Sequence, residues 1–251
     1  MMDTNKQSHL WDQRQVKRAR DQHYKANRAR LERIVATIDR ASGSRPRTSI
    51  RVLNIGVGDA RLEGMLLQRG YDVHAVDPSQ SIVDWLREEH GLDASHAHCG
   101  WAHNLPYAAD TLDWVIMSEV VEHLSPGEMQ AAFVEVRRVL KPGGCFVGTV
   151  PDNEDLAHNR FTCLHCGAES HRVGHEQSFT VPTLKAALSP HFERVKASSF
   201  RGMYMNWKGI AYYQWIDFPF KLARVMKRDV RAPHQIVFNI FFTARKHAHP
   251  R

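Results

Sequence analysis

Cysteine is scarce in this chain: four residues in 251, at Cys99, Cys145, Cys163 and Cys166. They are too few and too unevenly placed for a disulfide framework, so a reducing, cytoplasmic setting is expected. Long apolar runs are missing as well. Nothing approaches the roughly 20 consecutive apolar residues of a membrane span, and the opening MMDTNKQSHLWDQ lacks the apolar stretch of a secretory signal. No recognisable RNA-binding module stands out. Acid is in short supply at both ends. Residues 1–51 hold 13 Lys/Arg against 5 Asp/Glu, and residues 201–251 hold 10 against 2.

The acid sits in the middle, where residues 52–200 hold 20 Asp/Glu against 11 Lys/Arg. The net charge of +7 therefore hides an acidic core between two basic segments. Either the basic segments dock on that core or stay solvated, or they collect an anionic substrate: nucleic acid, a phosphorylated sugar or an acidic lipid surface. With 43% apolar and 24% charged residues the composition is that of a globular protein. The length suits one extended domain with one sizeable core.

The stretch from Arg51 to Ser79 organises the rest. A short apolar run, Val52-Leu53-Asn54-Ile55, breaks at Gly56-Val57-Gly58; a helical pattern follows, with Leu62, Met65, Leu66 and Leu67 on one side, closed by Gly70. A second run, Val73 to Val76, ends at Asp77-Pro78. Strand, glycine turn, helix, strand and acid make one βαβ unit of a nucleotide-binding sheet. Gly56 and Gly58 carry no Cβ and let the backbone approach a ligand. Asp77 falls at the tip of the second strand, where an acid can accept both hydroxyls of a ribose.

Further strands follow near Ala94 to His98, at Trp114 to Ser118 and at Cys145 to Val150. The ordered motifs LNIGVG, AVDPS, NLPY, SEVVEHL and LKPGG, over roughly residues 50 to 200, resemble the class I S-adenosylmethionine-dependent methyltransferases, especially their type 11 branch. The resemblance implies a Rossmann-like α/β fold: a seven-stranded, mostly parallel sheet, strand seven antiparallel at its edge, helices on both faces and an N-terminal helical cap. Residues 1–47 would be the basic cap and 48–251 the methyltransferase domain. A dinucleotide dehydrogenase would instead want a glycine where Arg61 stands.

The resemblance also implies cofactor contacts at Asn54, Gly56, Gly58, Asp77, Pro78, Trp101, Ala102, Ser118 and Glu119. Three positions depart from the family. Asn54 stands in place of an acid, with Asp59 or Glu63 as compensating charges; Ala60 replaces a third glycine; Trp101 stands where many relatives have an acid for the adenine amino group. Trp101 would stack on the adenine or pack in the core, and the Ala102 amide would face the ring.

Glu119, Glu122 and His123 form an E-x-x-E-H cluster; on a turn entering a helix, Glu119 and His123 would share a face with Glu122 beside them. In most type 11 enzymes this cluster shapes the acceptor site without metal. His123 is then the expected catalytic base, since imidazole titrates near neutrality. The cluster also resembles that of small-RNA 3′-terminal 2′-O-methyltransferases, which would add His175 and a divalent metal.

Residues 151–178 form an insertion in which Cys163-x2-Cys166 precedes His171-x3-His175. Four N/S ligands can close a structural tetrahedral zinc site. Alternatively the cysteines are reduced thiols and His175 belongs to the family's G-H-x-x-x-F-T element, present as Gly174 to Thr180. Thr180 is the expected N-cap of the next helix, with Pro182 in its first turn. The helical pattern from about Ser8 to Arg40 turns Tyr24, Leu31, Ile34, Val35 and Ile38 to one face and would form a lid over the cofactor cleft. Residues 200–233, aromatic then basic, suit a lid, a lipid interface, a stacked substrate or a subunit contact. His234 to Ala244 is the expected seventh strand.

The expected activity is methyl transfer from S-adenosylmethionine to an O or N nucleophile. The acceptor would be a small molecule or an envelope-type glycan or lipid intermediate, with peripheral membrane contact. RNA 2′-O-methylation and an inactive, methyltransferase-like binding subunit are the alternatives.

Overall fold

The computed structural model describes residues 28–157, 160–162, 169–171, 173–201 and 238–248. Seven strands form one sheet: β1 (Arg51–Ile55), β2 (Asp72–Asp77), β3 (Ala97–Cys99), β4 (Leu112–Ser118), β5 (Leu140–Pro151), β8 (Glu193–Arg201) and β9 (Phe238–Arg245). Their order across the sheet is β3-β2-β1-β4-β5-β9-β8. The first five strands run parallel, and β9 runs antiparallel to both β5 and β8. A separate hairpin, β6 (Arg160–Thr162) with β7 (Glu169–His171), lies in the insertion after β5.

Helices cover both faces: α1 (Arg28–Ser42), α2 (Arg61–Leu67), α3 (Gln80–His90), α4 (Pro126–Val139) and α5 (Val181–Leu188). The pleat sorts the strand residues. Leu53, Ile55, Val115 and Met117 join Phe133, Val136, Leu184 and Leu188 of α4 and α5. Val52, Trp114 and Ile116 join Leu31, Ile34, Val35 and Ile38 of α1 and Leu62 and Leu66 of α2. Strands buried on both faces read as unbroken apolar runs, which is how β1 and β4 read in the sequence. The helix ends follow side-chain chemistry. Ser79 accepts from the Ile82 amide to start α3, and Ser125–Glu128 and Thr180–Thr183 form reciprocal capping boxes on α4 and α5.

The sheet differs from the expectation in one place. The seventh strand is interior: β9 fits between β5 and β8, and β8 is the edge. Ile240, Phe241, Phe242 and Ala244 are all buried, as an interior position demands. The described part of the basic cap docks rather than standing off the core. Arg30 pairs with Glu119 at 3.1 Å and Arg45 with Asp113 at 2.8 Å. Residues 1–27, including Tyr24, and most of the expected 200–233 lid lie outside the described residues.

Candidate active site

The parallel strands end together on one side of the sheet, the edge at which open α/β sheets bind ligands. The glycine turn leaves β1 there. Gly56 has φ +82°, and a Cβ on it would come within 2.6 Å of Val120 Cγ2. Glycine is thus required twice, by backbone conformation and by the close approach of the segment after β4. Gly58 is also left-handed, at φ +63°. So is Ala60, at φ +53°. This is the position where the resembling family carries a third glycine, so the turn keeps its shape at the expense of a strained alanine.

Beneath the turn lies a buried polar pair. Asn54 Nδ2 donates to Glu63 Oε1 at 2.7 Å, and Glu63 is fully buried. Burial pushes the Glu63 carboxyl up to about 7, against the lowering effect of the Asn54 hydrogen bond. Of the two acids offered as substitutes for the missing one at position 54, Glu63 is the one the fold brings to it.

Asp77, at the tip of β2, is almost fully buried. Its carboxylate accepts from the Val57 amide and the Ser79 amide, both at 2.9 Å. The acid therefore ties the glycine turn to the second strand and places Pro78 beside it. The Gly100 amide donates to the Asp77 carbonyl at 3.0 Å, which sets Trp101 and Ala102 just past β3 next to that acid. Trp101 is half-buried and belongs to no core cluster; its ring lies 6.3 Å from that of His103. Ala102 is buried.

After β4, Ser118 Oγ meets Thr149 Oγ1 at 3.0 Å. Here the sequence reading is corrected. Glu119 takes φ +59° and stands outside the short 3-10 turn Val121–His123, so it does not share a face with His123. Its carboxylate accepts twice from Asn239 Nδ2, at 2.9 Å each, and pairs with Arg30. Glu122 and His123 turn the other way, toward the insertion.

There they meet Glu154, His171 and His175. The rings of His123 and His175 meet edge to face at 4.6 Å, and those of His171 and His175 stack at 4.9 Å. His123 Nδ1 donates to the Gly174 carbonyl at 3.1 Å. His175 Nδ1 is bonded to Glu154 Oε2, while its Nε2 lies 4.0 Å from Glu122 Oε1. Glu122 is wholly buried, and neither carboxylate oxygen has a hydrogen-bond partner. Burial and the nearby Glu119 hold its carboxyl well above the usual range. Burial, together with His175, brings His123 down to about 4. His123 is thus unprotonated at neutral pH but a weak base, away from the near-neutral value that favours proton abstraction. His171 and His175 are turned to Glu154; Cys163 and Cys166 lie outside the described residues. Sequence reading gave no role to Glu154, Arg30 or Asn239.

Residues 52–144, from β1 into β5, match the family described as a methyltransferase domain. That match spans less than half of the chain, and the sheet has the Rossmann-like architecture expected of such a fold. Among curated proteins, the biotin biosynthesis bifunctional protein BioHC of Cellvibrio japonicus is 38% identical over 96 residues, covering 38% of this chain and 18% of that protein. The tRNA N(3)-cytidine methyltransferase METTL2 of Gallus gallus is 30% identical over 128 residues, covering 47% and 35%. The matched segment thus spans under two fifths of either relative. A crystal structure of 1,6-didemethyltoxoflavin-N1-methyltransferase from Burkholderia thailandensis, with 1,6-didemethyltoxoflavin and S-adenosylhomocysteine bound, shares the fold. The two superpose with a TM-score of 0.58 at 18% identity, over 97% of this chain and 86% of that one.

Proposed function

We propose that the chain transfers a methyl group from S-adenosylmethionine to an oxygen or nitrogen nucleophile. The observation that carries this reading is the junction of the left-handed Gly56 turn with the buried Asp77 carboxylate, inside the segment that matches a methyltransferase domain. Asp77 would accept the ribose hydroxyls, Gly56 and Gly58 would admit the methionine end, and Trp101 with Ala102 would wall the adenine. Ser118 and Glu119 close the cleft from β4. The sulfonium makes the methyl group intrinsically reactive. The protein's contribution is then alignment and exclusion of water.

The acceptor would enter on the side of Glu122, His123 and His175, with a small molecule or an envelope-type glycan or lipid intermediate as the preferred class. A small heterocycle occupies the structural relative from Burkholderia thailandensis, in keeping with that preference. An RNA acceptor is the second reading. It is favoured by the METTL2 match and by an open groove of about 600 Å³ lined by Arg33, Arg40 and Lys196.

Calorimetry with S-adenosylhomocysteine tests the first part. One site per chain is expected, weakened about tenfold or more in Asp77→Ala, because hydrogen bonds to a charged group are each worth about 1.5–3 kcal/mol. No binding by the wild-type chain would overturn the reading. Turnover on a small-molecule extract but not on RNA separates the acceptor classes, and RNA binding must weaken steeply with salt to count.

A further inference from the structure

A second polar centre lies at the far end of β2 from the cleft. Asp72 and His74 are two apart on that strand and share a face. The pairing of β2 with β3 brings His96 beside them, the Ala75 amide donating to the His96 carbonyl at 2.8 Å. The imidazoles of His74 and His96 stack with centroids 4.8 Å apart. One carboxylate oxygen, Asp72 Oδ1, lies 3.2 Å from His74 Nε2 and 3.3 Å from His96 Nε2. His74 is buried, whereas Asp72 and His96 each keep a side open to solvent.

Hydrogen-bond chemistry decides what faces that oxygen. A guanidinium can only donate, so the 3.3 Å contact from Arg51 Nη2 makes His74 Nε2 an acceptor. An ionised carboxylate can only accept, so His96 Nδ1, 2.8 Å from Asp93 Oδ1, carries the proton of that ring and leaves a lone pair on Nε2. Ser95 Oγ lies 3.1 Å from the same nitrogen, but its own hydrogen is directed at Asp93 Oδ1, at 2.6 Å. Two imidazole lone pairs and a carboxylate oxygen therefore converge with no hydrogen among them.

We infer that Asp72, His74 and His96 form a binding site for a zinc ion. Ligands about 2.0–2.1 Å from zinc at tetrahedral angles are about 3.3 Å apart. The two carboxylate–imidazole edges, 3.2 and 3.3 Å, already have that length, and all three ligand atoms lie within 4.8 Å of one another. The outer nitrogen of His96 is held by the Asp93 carboxylate, as the outer nitrogens of metal-bound histidines are. Two imidazoles and one carboxylate suit zinc over magnesium or calcium, which prefer all-oxygen shells.

Arg51 is the competitor. Zinc displaces its Nη2 from His74, while its Nε, 3.3 Å from Asp72 Oδ2, stays on the oxygen that the ion leaves free. The Arg51 side chain is 37% exposed and has room to move. The site shares no residue with the cleft. Asp72 and Asp77 are the two ends of β2, roughly 16 Å apart at about 3.3 Å per residue. The ion is therefore a structural staple between β2 and the turn that feeds the three-residue edge strand β3. It does not rest on the methyl-transfer reading.

The test titrates the full chain, stripped with a chelator, with Zn²⁺ in a calorimeter at about pH 7.5, where protons compete little for an imidazole. His96→Gln should lower the stoichiometry by one equivalent, whatever other zinc the chain takes up, and Asp72→Asn should lose the same equivalent. Asp93→Asn should weaken it about 10- to 100-fold. Arg51→Gln should tighten it, because the competing donor is gone. His96 is partly exposed, so in chelator His96→Gln should melt with the wild type, and lost binding there is not lost folding. At a hundredfold excess of zinc over Kd, Tm should rise about 5–10 °C more in the wild type than in His96→Gln. S-adenosylhomocysteine binding should be the same in both. No zinc uptake by the wild type, an unchanged stoichiometry in His96→Gln, or weaker binding in Arg51→Gln would each overturn the assignment.

Discussion

The buried pair under the glycine turn makes stability depend on pH in a defined direction. Glu63 is fully buried and its carboxyl is pushed up to about 7 from 4.5, mainly by burial. Below about pH 4.5 the acid is protonated in both folded and unfolded chains and has no net effect. Between 4.5 and 7 the unfolded chain ionises Glu63 while the folded chain does not, so stability falls as pH rises; above 7 both are ionised and the loss is complete. From 4.5 to about 7, at 1.36 kcal/mol per pH unit, the difference is about 3 kcal/mol. Glu63→Gln keeps an acceptor oxygen for Asn54 Nδ2 and removes the titration. The variant should match the wild type near pH 4.5 and exceed it by about 3 kcal/mol at pH 8. In a chain of this size that is roughly 6–12 °C in Tm. Thermal melts of both proteins at the two pH values, read as the change in their difference, cancel every other titrating group. A gap of the same size at pH 4.5 and pH 8 would refute the reasoning.

Two further predictions concern the turn and the floor of the cleft. Gly56→Ala should cost about 1–3 kcal/mol in urea unfolding and weaken S-adenosylhomocysteine binding, from its φ of +82° and the 2.6 Å approach to Val120. Adding Val120→Ala should restore the steric part of the loss only, and full restoration would show that backbone strain is absent. Arg30→Ala and Asn239→Ala both release Glu119. Their effects on unfolding should be non-additive by about 0.5–3 kcal/mol, and additivity within about 0.5 kcal/mol would mean that Glu119 does not couple them.

Much of the scaffold was legible because period and punctuation agree. Leu31, Ile34, Val35 and Ile38 fell at helical spacing and all four are buried in α1. The cap Thr180 announced α5, and the apolar runs of β1, β2 and β4 announced parallel strands covered on both faces. The misplacement of β9 had a signal that went unused. Ile240, Phe241 and Phe242 are consecutive apolar residues, which suits a strand covered on both faces rather than an exposed edge. The geometry around Gly56 and Asp77 was readable because it is local: a turn and two strand tips. The acceptor side was not. Glu154 reaches His175 across 21 positions, Asn239 reaches Glu119 across 120, and no pattern of period or propensity reports such pairings. The left-handed backbone at Glu119, which turns it away from His123, is equally silent in an ordinary residue type.

The antiparallel pairing of β8 with β9 has a consequence for insertion. The ladder brings Arg201 opposite Phe238 and Phe200 opposite Asn239, so the chain leaves the sheet and returns to it at one point, and that point is tied to Glu119 at the cleft. Any segment spliced between those strands starts and finishes beside the site. Doubling its length adds only about 0.6 kcal/mol of closure entropy. A change in that connection therefore reaches the surroundings of Glu119 without passing through β1, β2 or β4.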